Sequence, residues 1–387
     1  MPEITLSYLL QICDNYKYFK KGRQLTKMKL PHLIIGNLDI PIPIVQGGMG
    51  IKISLAKLSS SVANCGAVGT ISAAIKSDHV KDRKNIASGA EGDVSEFVGF
   101  IREAKRLTTG IIAVNIMTAL TSYQPLVEAA VRENVDIIFS GAGLPLNLPM
   151  LVEGSSVKIA PIVSSGRVAE LICKTWTRKY NRVPDAVVLE GPMAGGHLGY
   201  SLDELKDEAS MPKLENLLAE VLEVTRKYSK EYNKTIPVIA GGGIYTGTDI
   251  AKIIKLGASG VQMGTRFVCT DECDAADAFK QAYVKAKKED IIIINSPVGM
   301  PGRALRNDFL EKAKKGEIKF KCSFLCLKTC NPKTSPYCIA NALTNAAQGN
   351  LEEGFVFAGS NVYRVDKIVP VKDLIKELVD EAESANV

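Results

Sequence analysis

The sequence predicts an α/β protein built on a (β/α)8 barrel, and three observations carry that prediction. Eight short, nearly continuous apolar runs recur between residues 43 and 264, as strands buried on both faces require. Amphipathic stretches of helical period separate most of them. Polar and glycine-rich residues fall just after the apolar runs, where a barrel's C-terminal rim gathers its active site. An open doubly wound sheet is the competing architecture.

The strands are expected at PIVQ (43–46), AVGTIS (67–72), IIAVNI (111–116), VDIIFS (135–140), VKIAPIV (157–163), DAVVLE (185–190), IPVIAG (236–241) and SGVQMG (259–264). Helical patterns lie at 54–65, 122–134, 166–180 and 246–257. The rim would then carry QGGMG, the Asn of VNI, SGAG, SSG, EGPMAGGH, GGGI and MGTRF. The connection from Tyr200 to Pro237 is long and holds a charged amphipathic helix near 213–231, read as a lid-like insertion over 200–236. Beyond residue 290 the pattern changes. Residues 1–30 read as an N-terminal extension, 31–290 as the barrel, and 291–387 as a cysteine-containing C-terminal addition packed on it.

Bulk properties exclude several classes. Over 387 residues, 46% hydrophobic and 23% charged content are those of a soluble globular protein. The net charge of +6 owes much to one run, KYFKKGRQLTKMK at 17–29, which reads as a solvated segment. Basic and aromatic residues are not interleaved elsewhere, so no nucleic-acid face is expected. No apolar run reaches the roughly 18 residues of a membrane span. The start, MPEITLSYLLQIC, lacks the basic region and cleavage-like end of a signal peptide. The expected location is cytoplasmic, and the nine cysteines are read as those of a reducing compartment.

Two motifs suggest an anion site. GGGIYTGTDI (241–250) follows the seventh strand and opens a helix, whose N-terminus favours negative charge. SGVQMGTRF (259–267) adds a glycine turn after the eighth strand. Barrels commonly hold a phosphate between these loops, though it could belong to a flavin mononucleotide, a sugar phosphate or a nucleotide. Lys158, a charge in an apolar strand, is expected to reach the rim or pair with an anion. Asn115 is a polar residue at the end of an apolar strand. His197, one of three histidines, follows Gly195 and Gly196, and its imidazole could take or deliver a proton.

PIVQGGMG, VNIM, VKIAPIVSSG, the EG…AGGHLG stretch, IAGGGI and VQMGTRF stand in an order that resembles the nitronate monooxygenases, formerly 2-nitropropane dioxygenases. The flavin-dependent enoyl-acyl-carrier-protein reductases share that arrangement, and the resemblance covers roughly residues 30–310. It implies a TIM barrel holding non-covalent FMN. By resemblance, Gly48 and Met49 lie against the isoalloxazine, Asn115 and Lys158 contact the ring or ribityl, and Gly195 and Gly196 flank the ring. Gly242, Gly243, Gly264 and Thr265 would hold the phosphate, with His197 as base or proton donor. Pro192 and Met193 depart from the commoner pattern before the glycines.

Cys322, Cys326, Cys330 and Cys338 follow C-x3-C-x3-C-x7-C. The first three would share one helical face, and four thiolates suit a [4Fe–4S] cluster or zinc. Reduced cysteines packed under the tail are the alternative.

The functional expectation is an FMN-dependent oxidoreductase of the nitronate monooxygenase type with His197 moving the proton. Nitronate oxidation calls for a base near the α-carbon and oxygen to reoxidise the flavin. The alternative is an enoyl-thioester reductase using NAD(P)H and a proton donor, whose acidic acyl-carrier partner could dock on residues 17–29. A flavin- or phosphate-binding protein without turnover is the third reading. Expected partners are a small molecule or an acyl thioester, with a homodimer left open.

Overall fold

The computed structural model describes residues 29–75, 86–322 and 325–387; most of the expected N-terminal extension and its basic run lie outside them. Eight parallel strands form the barrel: β1 (Ile44–Gln46), β2 (Gly69–Ser72), β3 (Ile112–Met117), β4 (Ile137–Gly141), β5 (Lys158–Val163), β6 (Val187–Glu190), β7 (Val238–Gly241) and β8 (Gly260–Met263). Each overlaps one of the eight expected apolar runs, and the third and fourth run one residue past it. Neighbours pair in sequence order from β2 to β8, and β8 pairs with β1. A parallel bridge between Val45 and Val68 closes the circle.

Side chains of opposite parity serve two cores, as the period of 2 demands. Val45, Ala113, Ile137, Phe139, Ala160, Val188 and Ile239 point into the barrel. A hairpin, Leu33–Ile35 with Leu38–Ile40, inserts Leu33, Ile35 and Ile40 among them and plugs the N-terminal end. Ile71, Val114, Ile138, Ile159, Leu189 and Val261 face the helices.

The ring comprises α1 (Ala56–Asn64), α2 (Ile86–Leu107), α3 (Tyr123–Arg132), the single turn α4 (Leu148–Leu151), α5 (Gly166–Tyr180), α6 (Leu214–Tyr232), α7 (Gly247–Lys255) and α8 (Val371–Ser384). Local signals set their ends. The Ser165 hydroxyl caps α5 by accepting from the Val168 amide. Asn181 and Asn233 end α5 and α6 in the left-handed region, at φ 48° and 49°, a conformation Asn tolerates.

Two expectations about the additions change. The charged helix expected as a lid is α6. It sits in the ring against α5, β6 and β7, burying Leu217, Leu218, Val221, Leu222 and Thr225. Those residues recur at helical spacing on one face, so they seat the helix on the sheet rather than over the mouth. The second change is at the end of the chain. Residues 291–370 do not lead away from a finished barrel, because α8 follows them and packs between α7 and α1. The late segment is therefore an excursion inside the eighth βα unit. It contains an antiparallel pair, Ile291–Asn295 with Pro301–Leu305, the helices Asp308–Lys314 and Ile339–Ala347, and its own core of Phe309, Leu310, Tyr337, Ala342 and Phe355. The Phe309, Tyr337, Phe355 and Phe357 rings meet with centroids 5.0–6.2 Å apart, in the offset and edge-on contacts that aromatic quadrupoles favour.

Candidate active site

A cavity of about 290 Å³ opens at the C-terminal rim, under the excursion. The structure brings Gly48, Met49, Asn115, Gly195, Gly196, His197, Gly242, Gly243, Gly264 and Thr265 into its wall.

The first wall is the end of β1. The Gly47 amide donates to the Met263 carbonyl at 2.8 Å, and the Ser54 hydroxyl accepts from the Met49 amide at 2.9 Å. A Cβ on Gly48 would lie 2.3 Å from Cβ of Asn115, so β1 and β3 meet here only because residue 48 has no side chain. The loops after β6 and β7 interlock in the same way. The Gly191 amide donates to the Gly241 carbonyl at 2.8 Å, and a Cβ on Gly242, at φ +96°, would stand 2.6 Å from the Gly191 oxygen.

The loop from β6 to His197 is held from the excursion. Arg303, 3% exposed, donates through Nη1 to the Pro192 and Ala194 carbonyls, each at 2.5 Å. Burial draws its guanidinium down to about 10. Gly196 and His197 add a third strand to the antiparallel pair, opposite Arg303 and Gly302. The His197 ring meets Phe357 edge-on with centroids 4.9 Å apart, and its Nε2 lies 2.8 Å from the Ser296 hydroxyl. That hydroxyl also accepts from the Val298 amide at 3.3 Å. Burial pushes His197 down to about 4, so the imidazole is neutral at neutral pH. At the end of β6, burial pushes the Glu190 carboxyl the other way, up to about 7.

The anion site differs in detail from expectation. The N-terminus of α7 already has its anions. Asp249 accepts from the Tyr245 and Thr246 amides at 3.0 and 2.9 Å, and Glu381 of α8 accepts from Gly247 at 2.8 Å. The glycine turns remain at the cavity. Gly242 and Gly243 both lie at φ +96°. The excursion braces them, with Asn361 Nδ2 donating to the Gly243 carbonyl at 2.7 Å and the Gly359 amide donating to Thr265 Oγ1 at 3.2 Å.

Lys158 does not join the set. It opens β5 at the end opposite the rim, its Nζ donating to the Ser156 carbonyl at 3.0 Å and its stem crossing Gly36 of the plug. The charge escapes the apolar strand by the nearer mouth, which is the lower one. The cysteines also depart from expectation. Residues 321–338 carry no helix among those described, so Cys322, Cys326 and Cys330 share no helical face. Only Cys326 lines the cavity, and Cys338 precedes the helix Ile339–Ala347. Among the described residues, no three His, Cys, Asp or Glu are gathered tightly enough to hold a metal ion.

Sequence reasoning gave no role to Glu190, Gln262, Ser296, Arg303 or Phe357. Glu190 and Gln262 stood in the quoted EG and VQMG stretches, where a polar residue at the end of an apolar strand was the available signal. The other three act across about 100 to 160 residues of chain, and nothing local marks them.

The residues present fit a flavin mononucleotide. Gly196, where an added Cβ would meet nothing within 4 Å, turns bare backbone toward the open cavity, as a flat ring lying against it needs. Gln262 Oε1 is a buried acceptor in the cavity wall without a hydrogen-bond partner in the structure, which a ring N–H would satisfy.

Comparison with known proteins agrees with this geometry. The nitronate monooxygenase family model matches residues 32–381. A probable nitronate monooxygenase of Staphylococcus saprophyticus is 24% identical over 384 residues, covering 92% of this chain and 98% of that one. An octahydroindene-carboxyl-CoA dehydrogenase of Mycobacterium tuberculosis is 28% identical, covering 72% and 67%. FabK of Thermotoga maritima superposes with a TM-score of 0.68 at 27% identity, over 89% of this chain and 93% of that one. With strands, rim cavity and family match in agreement, this chain belongs to the nitronate monooxygenase family, oxidoreductases on a (β/α)8 barrel.

Proposed function

We propose that this chain is an FMN-dependent oxidase of small nitro-activated carbon acids, a nitroalkane or its nitronate, with His197 as the proton acceptor. The observation that carries the reading is the nitronate monooxygenase family match over residues 32–381, joined to the place of His197 in the cavity wall, where Ser296 and Phe357 hold an imidazole that can take a proton.

Gly48 and Met49 would lie along one edge of the ring, Asn115 and Gln262 would meet its polar atoms, and Gly195 and Gly196 would flank it. Gly242, Gly243, Gly264 and Thr265 would cradle the phosphate. Bound FMN would supply the electron acceptor, reoxidised by oxygen. The chain's own task is to place the substrate's α-carbon against His197. Ser296 and Phe357 fix the ring, while Arg303 fixes the loop that carries it. The roof of Val298, Leu327, Ile339 and Leu343 keeps the substrate side apolar.

A nitronate has already lost the proton that His197 would remove. His197→Asn should therefore slow nitroalkane turnover by about 10²–10⁴ and preformed nitronate far less. Equal losses on both, or none on either, would overturn the assignment.

The second reading is an NAD(P)H-dependent enoyl-thioester reductase, favoured by the FabK likeness and the apolar roof. Visible spectra under anaerobic conditions separate the two. Flavin bands bleached by NADH or NADPH support the reductase; bands indifferent to both, with nitronate turnover in air, support the oxidase.

A further inference from the structure

We propose that Cys322, Cys326, Cys330 and Cys338 bind an iron–sulfur cluster of the [4Fe–4S] type in the outer wall of the cavity. The proposal is independent of which reaction the site performs. Residues 315–338 contain no regular helix or strand among those described, yet they form part of the roof. Hydrogen bonds tie this stretch to the barrel and the excursion: the Thr121 amide donates to the Cys326 carbonyl at 3.0 Å, the Lys328 amide to Ala119 at 2.9 Å, and the Thr329 hydroxyl to Val298 at 2.6 Å.

Cys326 stands at the centre of the set. It borders the apolar group of Ile51, Cys338 and Ala340, and both it and Cys330 border the excursion's core. All three other thiols lie within electrostatic range of it. None of the four is in a disulfide. Charge points the same way. Between Glu317 and Glu352 the sequence contains no acidic residue, while Lys319, Lys321, Lys328 and Lys333 intersperse the cysteines. A four-thiolate [4Fe–4S] centre is net negative, and such a stretch complements it.

The size of the metal centre distinguishes the two candidates. Zinc needs its thiolates within about 2.3 Å of one centre, and no three ligands among the described residues are so gathered. A four-iron cube binds one thiolate at each iron, so its thiolates stand farther apart than those around a single ion. Cys326 would bring that cube to the wall that the substrate touches.

The test uses full-length protein, purified without oxygen and reconstituted with ferrous iron and sulfide. Iron, acid-labile sulfide and zinc are measured against flavin, followed by low-temperature electron paramagnetic resonance after dithionite. The expected result is about four iron and four sulfide per chain, with the signal of a reduced cluster. Cys322→Ser with Cys330→Ser should lose both and keep its flavin. Should that pair fail to fold, Cys330→Ser alone, with Cys65→Ser as the control that keeps its iron, decides the question. Flavin-loaded protein that binds neither iron nor sulfide would overturn the proposal. So would zinc in place of iron, or iron unchanged in the cysteine variants.

Discussion

Glu190→Gln probes the electrostatics of the cavity floor. Glu190 ends β6, and its half-buried side chain forms part of the cavity wall. Burial raises its carboxyl from 4.5 to about 7. The unfolded chain therefore ionises at lower pH than the folded one. The folded state's advantage is complete below 4.5 and is lost as the pH climbs through 7. At 1.36 kcal/mol per pH unit, the rise from 4.5 to about 7 gives about 3 kcal/mol as an upper bound. Solvent reaching the side chain through the cavity discounts that to about 2 kcal/mol. Glutamine has the shape of the neutral acid and does not titrate. The variant should match its parent near pH 4 and exceed it at pH 8 by about 2 kcal/mol, a rise of a few degrees in Tm at this size. Melting curves from pH 4 to 8.5 at saturating FMN read the difference. His197 also costs stability, but as the pH falls from 6.5 toward 4, and equally in both proteins, so it cancels. Parent and variant tracking each other across the whole range would refute the argument, because it would mean a solvated carboxyl.

For nitroalkane oxidation, kcat/KM should stay level on the acid side until the pH approaches 4, where His197 takes a proton; a limb near 6.5 would mean a ring open to water. Gly48→Ala must part β1 from β3, because its Cβ would stand 2.3 Å from that of Asn115 where about 3.5–4.0 Å is comfortable. A cost of about 1–3 kcal/mol should appear as a lower Tm and at least a tenfold loss of FMN affinity by fluorescence titration, and unchanged affinity would count against the ring lying there. Arg303→Met leaves the Pro192 and Ala194 carbonyls without their donor, at about 1–3 kcal/mol for each group left unsatisfied. It should lower kcat together with Tm, and a full kcat would detach the loop from catalysis.

The barrel was legible because its strands are buried on both faces, and a continuous apolar run such as IIAVNI or IPVIAG has few other uses. The rim was legible for a related reason: glycines and polar residues interrupt those runs at one end only. What misled was the reach of single residues. Lys158 looked like a rim residue, but it stands at the first position of β5, and strand polarity alone sends it to the plug. The α7 N-terminus looked like an anion site, yet Glu381, 134 residues away from Gly247, already serves it. Charge on α6 suggested a lid, while its spaced Leu217, Val221 and Leu222 recorded the ring. Arg303, Ser296 and Phe357 act on residues about 100 to 160 positions earlier in the chain, a relation that only the folded excursion creates.

The order of the ring has a consequence for how the protein is made. A ribosome delivers β8 and seven of the helices well before α8, with residues 269–370 still to come. Until then the groove between α1 and α7 lies open to water. Gly247, whose Cβ position falls 2.2 Å from the Leu378 carbonyl, faces nothing, and Val371, Leu374, Ile375 and Leu378, all buried in the finished ring, have yet to arrive. A nascent barrel in that state exposes an apolar seam of the kind that chaperones bind and that aggregation exploits. The excursion that roofs the cavity is thus also a delay line, and each residue added to it lengthens the interval during which the barrel waits, unsealed, for its last stave.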